Sequence, residues 1–229
     1  MKFSLARRVC AEFLGTAFLL TAVVGSGIMA ERLCGGNVAI ALLANSVATG
    51  AALITLILTF GPISGAHFNP VVTLVDAISG GLAGVDILPY VLAQFAGALA
   101  GTLSCHYMFG LPGFTLSRHT RSGPAQLYAE IVATFGLIAV ISVCSRLNRK
   151  AVPLAVGTYI AAAYWFTSST SFANPAVTVA RCVTDTFAGI RPRDVPGFVL
   201  AEICGAGIAF FLFRWLIPAK LSAESGACP

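Results

Sequence analysis

Charge is what this sequence lacks. Asp, Glu, Lys and Arg make up 10% of its 229 residues, and only nine residues are acidic. Soluble domains carry about 25%, so an ordinary solvated surface is excluded. Histidine is down to three residues, and the seven cysteines never pair as CxxC. That leaves no metal-ligand cluster, and an odd cysteine count scattered through apolar runs gives no disulfide framework. No nucleophile–base pattern and no phosphate-cradling loop occurs, so nothing points to an enzyme, a cofactor or a metal. The net charge of +5 invites a nucleic-acid partner, but the basic residues stand at the ends of apolar runs and not in one patch.

What is present is apolar length. The chain is 57% hydrophobic with a mean hydropathy of +0.87, and several stretches approach the ~20 residues that cross hydrocarbon. The expected class is an all-α integral membrane protein lying in a lipid bilayer. Candidate spans are 8–29, 38–60, 87–108, 125–145, 153–169 and 195–217. The first apolar run, 9–30, is too long for a signal peptide and contains Glu12, so it reads as a retained span. Lys2, Arg7 and Arg8 precede it, and Arg146, Arg149 and Lys150 cluster between two later spans. Both groups fit a cytoplasmic face, with both termini inside, although Arg118, Arg121, Arg191 and Arg193 then face outward.

The chain repeats itself. Ala11-Glu12-Phe13-Leu14-Gly15-Thr16 resembles Ala129-Glu130-Ile131-Val132-Ala133-Thr134, and Ala93-Gln94-Phe95-Ala96-Gly97-Ala98 resembles Ala201-Glu202-Ile203-Cys204-Gly205-Ala206. The polar stretch 110–123 joins the halves, giving a single domain over 1–229 with repeats 1–115 and 116–229. Three spans per half is odd, so the second repeat enters the membrane inverted. Gly97, Ala98, Gly101, Gly205, Ala206 and Gly207 read as close helix packing.

Between the matched segments of each half stands an Asn-Pro box. Residues 64–74 read Ser-Gly-Ala-His-Phe-Asn-Pro-Val-Val-Thr-Leu, and residues 171–179 read Ser-Phe-Ala-Asn-Pro-Ala-Val-Thr-Val. Asn is a preferred N-cap and Pro is tolerated at the first helical position. Asn69-Pro70-Val71 and Asn174-Pro175-Ala176 therefore open short helices inside the protein, entering from opposite faces and meeting N-terminus to N-terminus. Either Asn could be a mere cap in a packed loop, but two copies in matching repeat positions argue for a shared path. The preceding Gly-, Ser- and Thr-rich segments are too polar for lipid, and such a lining suits small neutral molecules bearing hydroxyl groups.

These features resemble the aquaporins, the major intrinsic protein family, over almost the entire chain. The first box departs slightly, with Val71 where the family usually has Ala. The resemblance implies six spans plus two re-entrant half-helices, side-chain N–H donation from Asn69 and Asn174, and buried glutamates, Glu12 and Glu130, that brace the pore loops with His67. A proton-coupling role is the alternative for those glutamates. The family's outer constriction falls by count on Thr49, Ala162, Ser171 and Val177, where an aromatic residue at the first position and an arginine at the last are usual. Their loss implies a wide constriction with no cation there. Arg181, two turns beyond Asn174, could present a cation at the pore mouth, or pair with Asp185 on a solvated helix end. His106 and His119 have no acidic or cysteine neighbours at ligand spacing and receive no role.

By resemblance the expected function is passive passage of small neutral solutes: glycerol, urea, water, and metalloid acids such as arsenous acid. The wide constriction resembles that of bacterial aquaglyceroporin-like channels associated with arsenic resistance. The resemblance also implies a homotetramer in a bacterial inner membrane. A water-selective channel with an unusual filter is the nearest alternative. Rivals of other classes are an ion-coupled secondary transporter and a junctional membrane protein with a vestigial pore.

Overall fold

The structure, a computed structural model, describes residues 3–217. Lys2 and the C-terminal segment expected on the cytoplasmic side lie outside the described residues. Among the described residues, eight α-helices run in an order that repeats once. The first half holds α1 (Leu5–Leu33), α2 (Val38–Ser64), the short α3 (Pro70–Ile78) and α4 (Ile87–Met108). The second holds α5 (Pro124–Leu147), α6 (Val152–Phe166), the short α7 (Pro175–Ala180) and α8 (Val195–Leu216). Five of these helices are long and apolar enough to cross a membrane unaided.

The fifth span, α6, has 15 residues, and at 1.5 Å per residue it falls short of the ~30 Å of hydrocarbon. It ends at Phe166, not near residue 169 as expected. Thr167 turns extended (φ −109°, ψ 136°) and its hydroxyl bonds back to the Ala163 carbonyl at 2.6 Å. The chain completes the crossing as irregular backbone up to Asn174. Such backbone survives at membrane depth only when shielded by protein or lining a wet cavity.

Within each half the first and last long helices pack closely, α1 on α4 and α5 on α8, while α2 meets α6 across the repeat. Small residues permit this. A methyl group at Gly97 would overlap the Phe13 carbonyl, and one at Gly205 the Ile131 carbonyl. Gly207, expected to pack in the same way, faces open space. Gly97→Ala should therefore cost about 1–3 kcal/mol by overpacking, while Gly207→Ala should leave the unfolding temperature in detergent unchanged. Equal melting of the two variants would refute this packing account.

Arg8 corrects the reading of the N-terminal basic group. It is not a solvated flank but a buried member of α1, with Nη2 2.8 Å from Asp86 and Nη1 3.4 Å from the Tyr90 hydroxyl. Arg7 beside it is exposed.

Candidate functional site

The two short helices are capped as their sequences require. The Asn69 side-chain carbonyl accepts from the Val71 N–H at 3.0 Å, and that of Asn174 from the Ala176 and Val177 N–H groups at 3.0 and 3.4 Å. The amide end of each side chain reaches across the repeat axis. Asn69 Nδ2 donates to the Ala173 carbonyl and Asn174 Nδ2 to the Phe68 carbonyl, both at 2.7 Å. An amide nitrogen carries two N–H bonds, so each Asn keeps one donor beyond the inter-repeat bond. Both residues line a cavity of about 1250 Å³ whose wall also includes Arg146, Arg149, Lys150 and Arg181.

The loops before the boxes are held in matching, unfavourable conformations. Gly65 and Thr170, four residues before their Asn, have φ of 98° and 63°. Ala66 and Ser171 follow at 53° and 51°, and Phe68 and Ala173 at 51° and 49°. Left-handed backbone at a non-glycine residue costs on the order of 1–3 kcal/mol and persists only where the surroundings over-determine it. Here the surroundings are carboxylates. Glu12 accepts from the Ser64 hydroxyl (2.6 Å), the His67 and Phe68 N–H groups (3.0 and 2.7 Å) and the Gln94 amide (2.8 Å). Glu130 accepts from the Phe172 and Ala173 N–H groups at 2.9 and 2.8 Å, and from the Ser169 hydroxyl.

The half-helices are tied at a second matched point. Gln94 Nε2 donates to Thr73 Oγ1 at 2.8 Å, and Thr178 Oγ1 donates to Glu202 Oε1 at 2.6 Å. Glu12, Glu130 and Glu202 are fully buried, and none lines the cavity. His67 does line it, with Nδ1 3.1 Å from Thr73 Oγ1 and Nε2 3.4 Å from Asp76.

Of the four residues counted to the outer constriction, Thr49, Ser171 and Val177 line the cavity. Ala162 does not; it sits exposed on the outer side of α6. The inward face of α6 follows the four-residue spacing Val156, Ile160, Tyr164, and residue 162 lies about half a turn from it. Tyr164 lines the cavity on that face, and its hydroxyl donates to Thr49 Oγ1 at 3.3 Å. A ring therefore stands where the sequence reading found none. The Ser171 hydroxyl is buried on the cavity wall without a protein partner.

Arg181 is not paired with Asp185. Asp185 accepts from the Arg118 N–H at 2.9 Å, and its carboxylate lies 3.9 Å from Arg118 Nε. Arg181 is instead 2% exposed, stacked 3.4 Å from the centroid of Phe172, with Nε donating to the Ala188 carbonyl. His106 also has partners that its sequence neighbours did not show. Its Nε2 lies 2.7 Å from Thr184 Oγ1 and its Nδ1 reaches the Pro112 and Gly113 carbonyls, joining α4 to the turn that follows it and to the segment after α7.

An inverted pair of three-span repeats, with two half-helices meeting at the wall of one large cavity, defines a channel-forming integral membrane protein. The chain belongs to the Major intrinsic protein family, whose match covers residues 1–171. It is 57% identical over 220 residues to Aquaglyceroporin AqpS of Rhizobium meliloti, covering 96% of this chain and 94% of that protein. It is 29% identical to Aquaporin Z of Bradyrhizobium diazoefficiens, covering 96% and 98% of the two chains. In fold it matches the aquaglyceroporin of Plasmodium falciparum with a TM-score of 0.72 at 20% identity, over 96% of this chain and all of that one.

Proposed function

We propose that this protein passes small uncharged polar solutes, glycerol, urea and arsenous acid among them, together with water, down their gradients. The observation that carries the reading is the pair of Asn amides on one cavity wall, each with an N–H to spare. Asn69 and Asn174 donate those N–H groups to the permeant oxygen, while Pro70, Val71, Pro175 and Ala176 set the two helix starts. Glu12, Glu130 and His67 hold the loops. A coupled transporter built on the membrane glutamates needs one of them to face the transported species, and all three stand off the cavity. Arsenous acid joins glycerol because it too is a neutral molecule presenting three hydroxyl groups. The likeness to a protein named as an aquaglyceroporin, which runs almost end to end, supports the same solute class.

The test is stopped-flow shrinkage of liposomes carrying the purified protein, challenged with water, glycerol, urea and arsenous acid gradients. Glycerol entry should rise linearly with its gradient and ignore a proton gradient. Saturable uptake driven by a proton gradient would replace the channel by a transporter. Tyr164 favours a second reading, a water-selective channel, because its ring returns bulk to the constriction. That reading wins if water passes and glycerol does not.

Thr49, Tyr164, Ser171 and Val177 form the outer constriction in this proposal, with Tyr164 taking the place that the count gave to Ala162. The start of α1 and the basic turn after α5 share one mouth by the topology, which supports a cytoplasmic N-terminus in a bacterial inner membrane. Assembly as a homotetramer, one pore per protomer, is proposed on the family resemblance; sizing in detergent tests it, and a monomeric mass sinks it.

A further inference from the structure

We infer that this channel separates two jobs along its axis: Arg181 is the charge barrier, and the level of Thr49, Tyr164 and Val177, one helical turn deeper, sets the bore. The inference rests on the pore reading above and deepens it.

The geometry begins with one backbone bond. The Arg181 N–H donates to the Val177 carbonyl, so the two residues stand one turn apart on the same face, about 5–6 Å between Cβ atoms. Both line the cavity. Val177 is nearer the half-helix start at Asn174, so Arg181 leaves the backbone one turn farther from that start than Val177 does. At the waist itself the wall is an aromatic ring, a hydroxyl and a valine, with no fixed charge.

Arg181 is built to stay where it is. Its guanidinium lies on Phe172, and the same ring is met by a second guanidinium, Arg121, 5.0 Å from the centroid. Arg121 is itself anchored on the Gly189 and Ser169 carbonyls at 2.8 and 3.1 Å. Arg181 makes no ion pair among the described residues, and its Nη1 has no protein partner. Arg181 belongs to the cavity wall with no carboxylate paired to it, so its charge opposes any cation that enters. A neutral solute does not feel that repulsion, and is then measured by the ring and the valine.

The separation is tested in liposomes by two readouts taken together: potassium leak, and the ratio of glycerol to erythritol entry. Arg181→Gln should raise the leak roughly tenfold or more and leave the glycerol-to-erythritol ratio as in the parent. Tyr164→Ala should do the reverse, admitting erythritol while the leak stays low. Arg181→Lys keeps the charge and should keep the parent leak. Combining Arg181→Gln with Val177→Arg should restore cation exclusion and bar erythritol, because charge and bulk then stand at one level. If the Gln variant does not fold, Arg181→Met preserves the apolar stem over Phe172 and carries the same expectation. A folded Gln or Met variant with parental leak and normal glycerol entry overturns the inference. So does a Lys variant as leaky as the Gln variant, or a change of both readouts together. A parent that passes no glycerol removes the pore reading, and this inference with it.

Discussion

Asn174→Asp will insert and fold like the parent but pass glycerol about 10- to 100-fold more slowly. Folding should survive because Asp caps a helix as well as Asn does, and a carboxylate at a helix N-terminus is favoured by the dipole. The Ala176 and Val177 N–H groups keep their acceptor. Transport should not survive intact, because the carboxylate has no N–H at all. It forfeits the 2.7 Å bond to the Phe68 carbonyl and sets two acceptors against each other. It also removes the donor that meets the permeant at the midpoint. Losing a bond of this kind is worth about 1.5–3 kcal/mol when charge is involved, and each 1.4 kcal/mol of barrier is roughly tenfold in rate. Asn69→Asp, facing the Ala173 carbonyl, should behave alike. Glycerol entry at parental speed in a folded variant of either kind would sink the assignment of the Asn pair to the pore.

How much of this is readable in the sequence depends on whether the chemistry is local. The Asn-Pro boxes are legible because a cap and its proline are adjacent, and because they occur twice. The glutamates are legible as a repeated Ala-Glu, although the donors that converge on them are not. Tyr164 escapes the sequence for a reason of register. Counting along the matching motifs treats the segment before Asn174 as fixed, but α6 stops at Phe166 and the backbone from Thr167 onward is irregular. A better signal is present: Val152, Val156 and Ile160 recur at the four-residue helical spacing, and the next member is residue 164.

Arg181 is misread through the opposite assumption. An i,i+4 pair needs a continuing helix, yet α7 ends at Ala180, a short 3-10 turn covers Arg181–Val183, and Thr184 is extended. Asp185 is carried away to Arg118. Arg8 and His106 are out of reach for a simpler reason: each finds a partner 78 residues away, Asp86 and Thr184 respectively, and no local pattern encodes such a contact. The same distance hides Gln94, which lies 82 residues from Glu12.

The two bracing glutamates stand in matching places, yet Glu12→Gln should be far more damaging than Glu130→Gln. Four groups point donors at Glu12: the Ser64 hydroxyl, two backbone N–H groups and the Gln94 amide. A glutamine there offers one acceptor oxygen and turns an NH2 group toward the remaining donors. Broken buried networks of this kind cost about 3–5 kcal/mol, and the loss falls on backbone already strained at Ala66 and Phe68. Glu130 receives the matching hydroxyl and two backbone donors, but in place of Gln94 its neighbour is the second carboxylate, Glu202. Glu202 Oε2 has no donor from the protein. The amide that Glu130→Gln introduces therefore weakens one of the bonds from the pore loop but supplies Glu202 with a donor it lacked, for a net cost of about 1–2 kcal/mol. Thermal unfolding in detergent should separate the two, with the Glu12 variant melting roughly 10 °C or more below the parent and the Glu130 variant only slightly below it. Equal losses would show that the carboxylates act through charge alone, and that the Gln94-to-Glu202 difference between the repeats has no part in holding the pore loops.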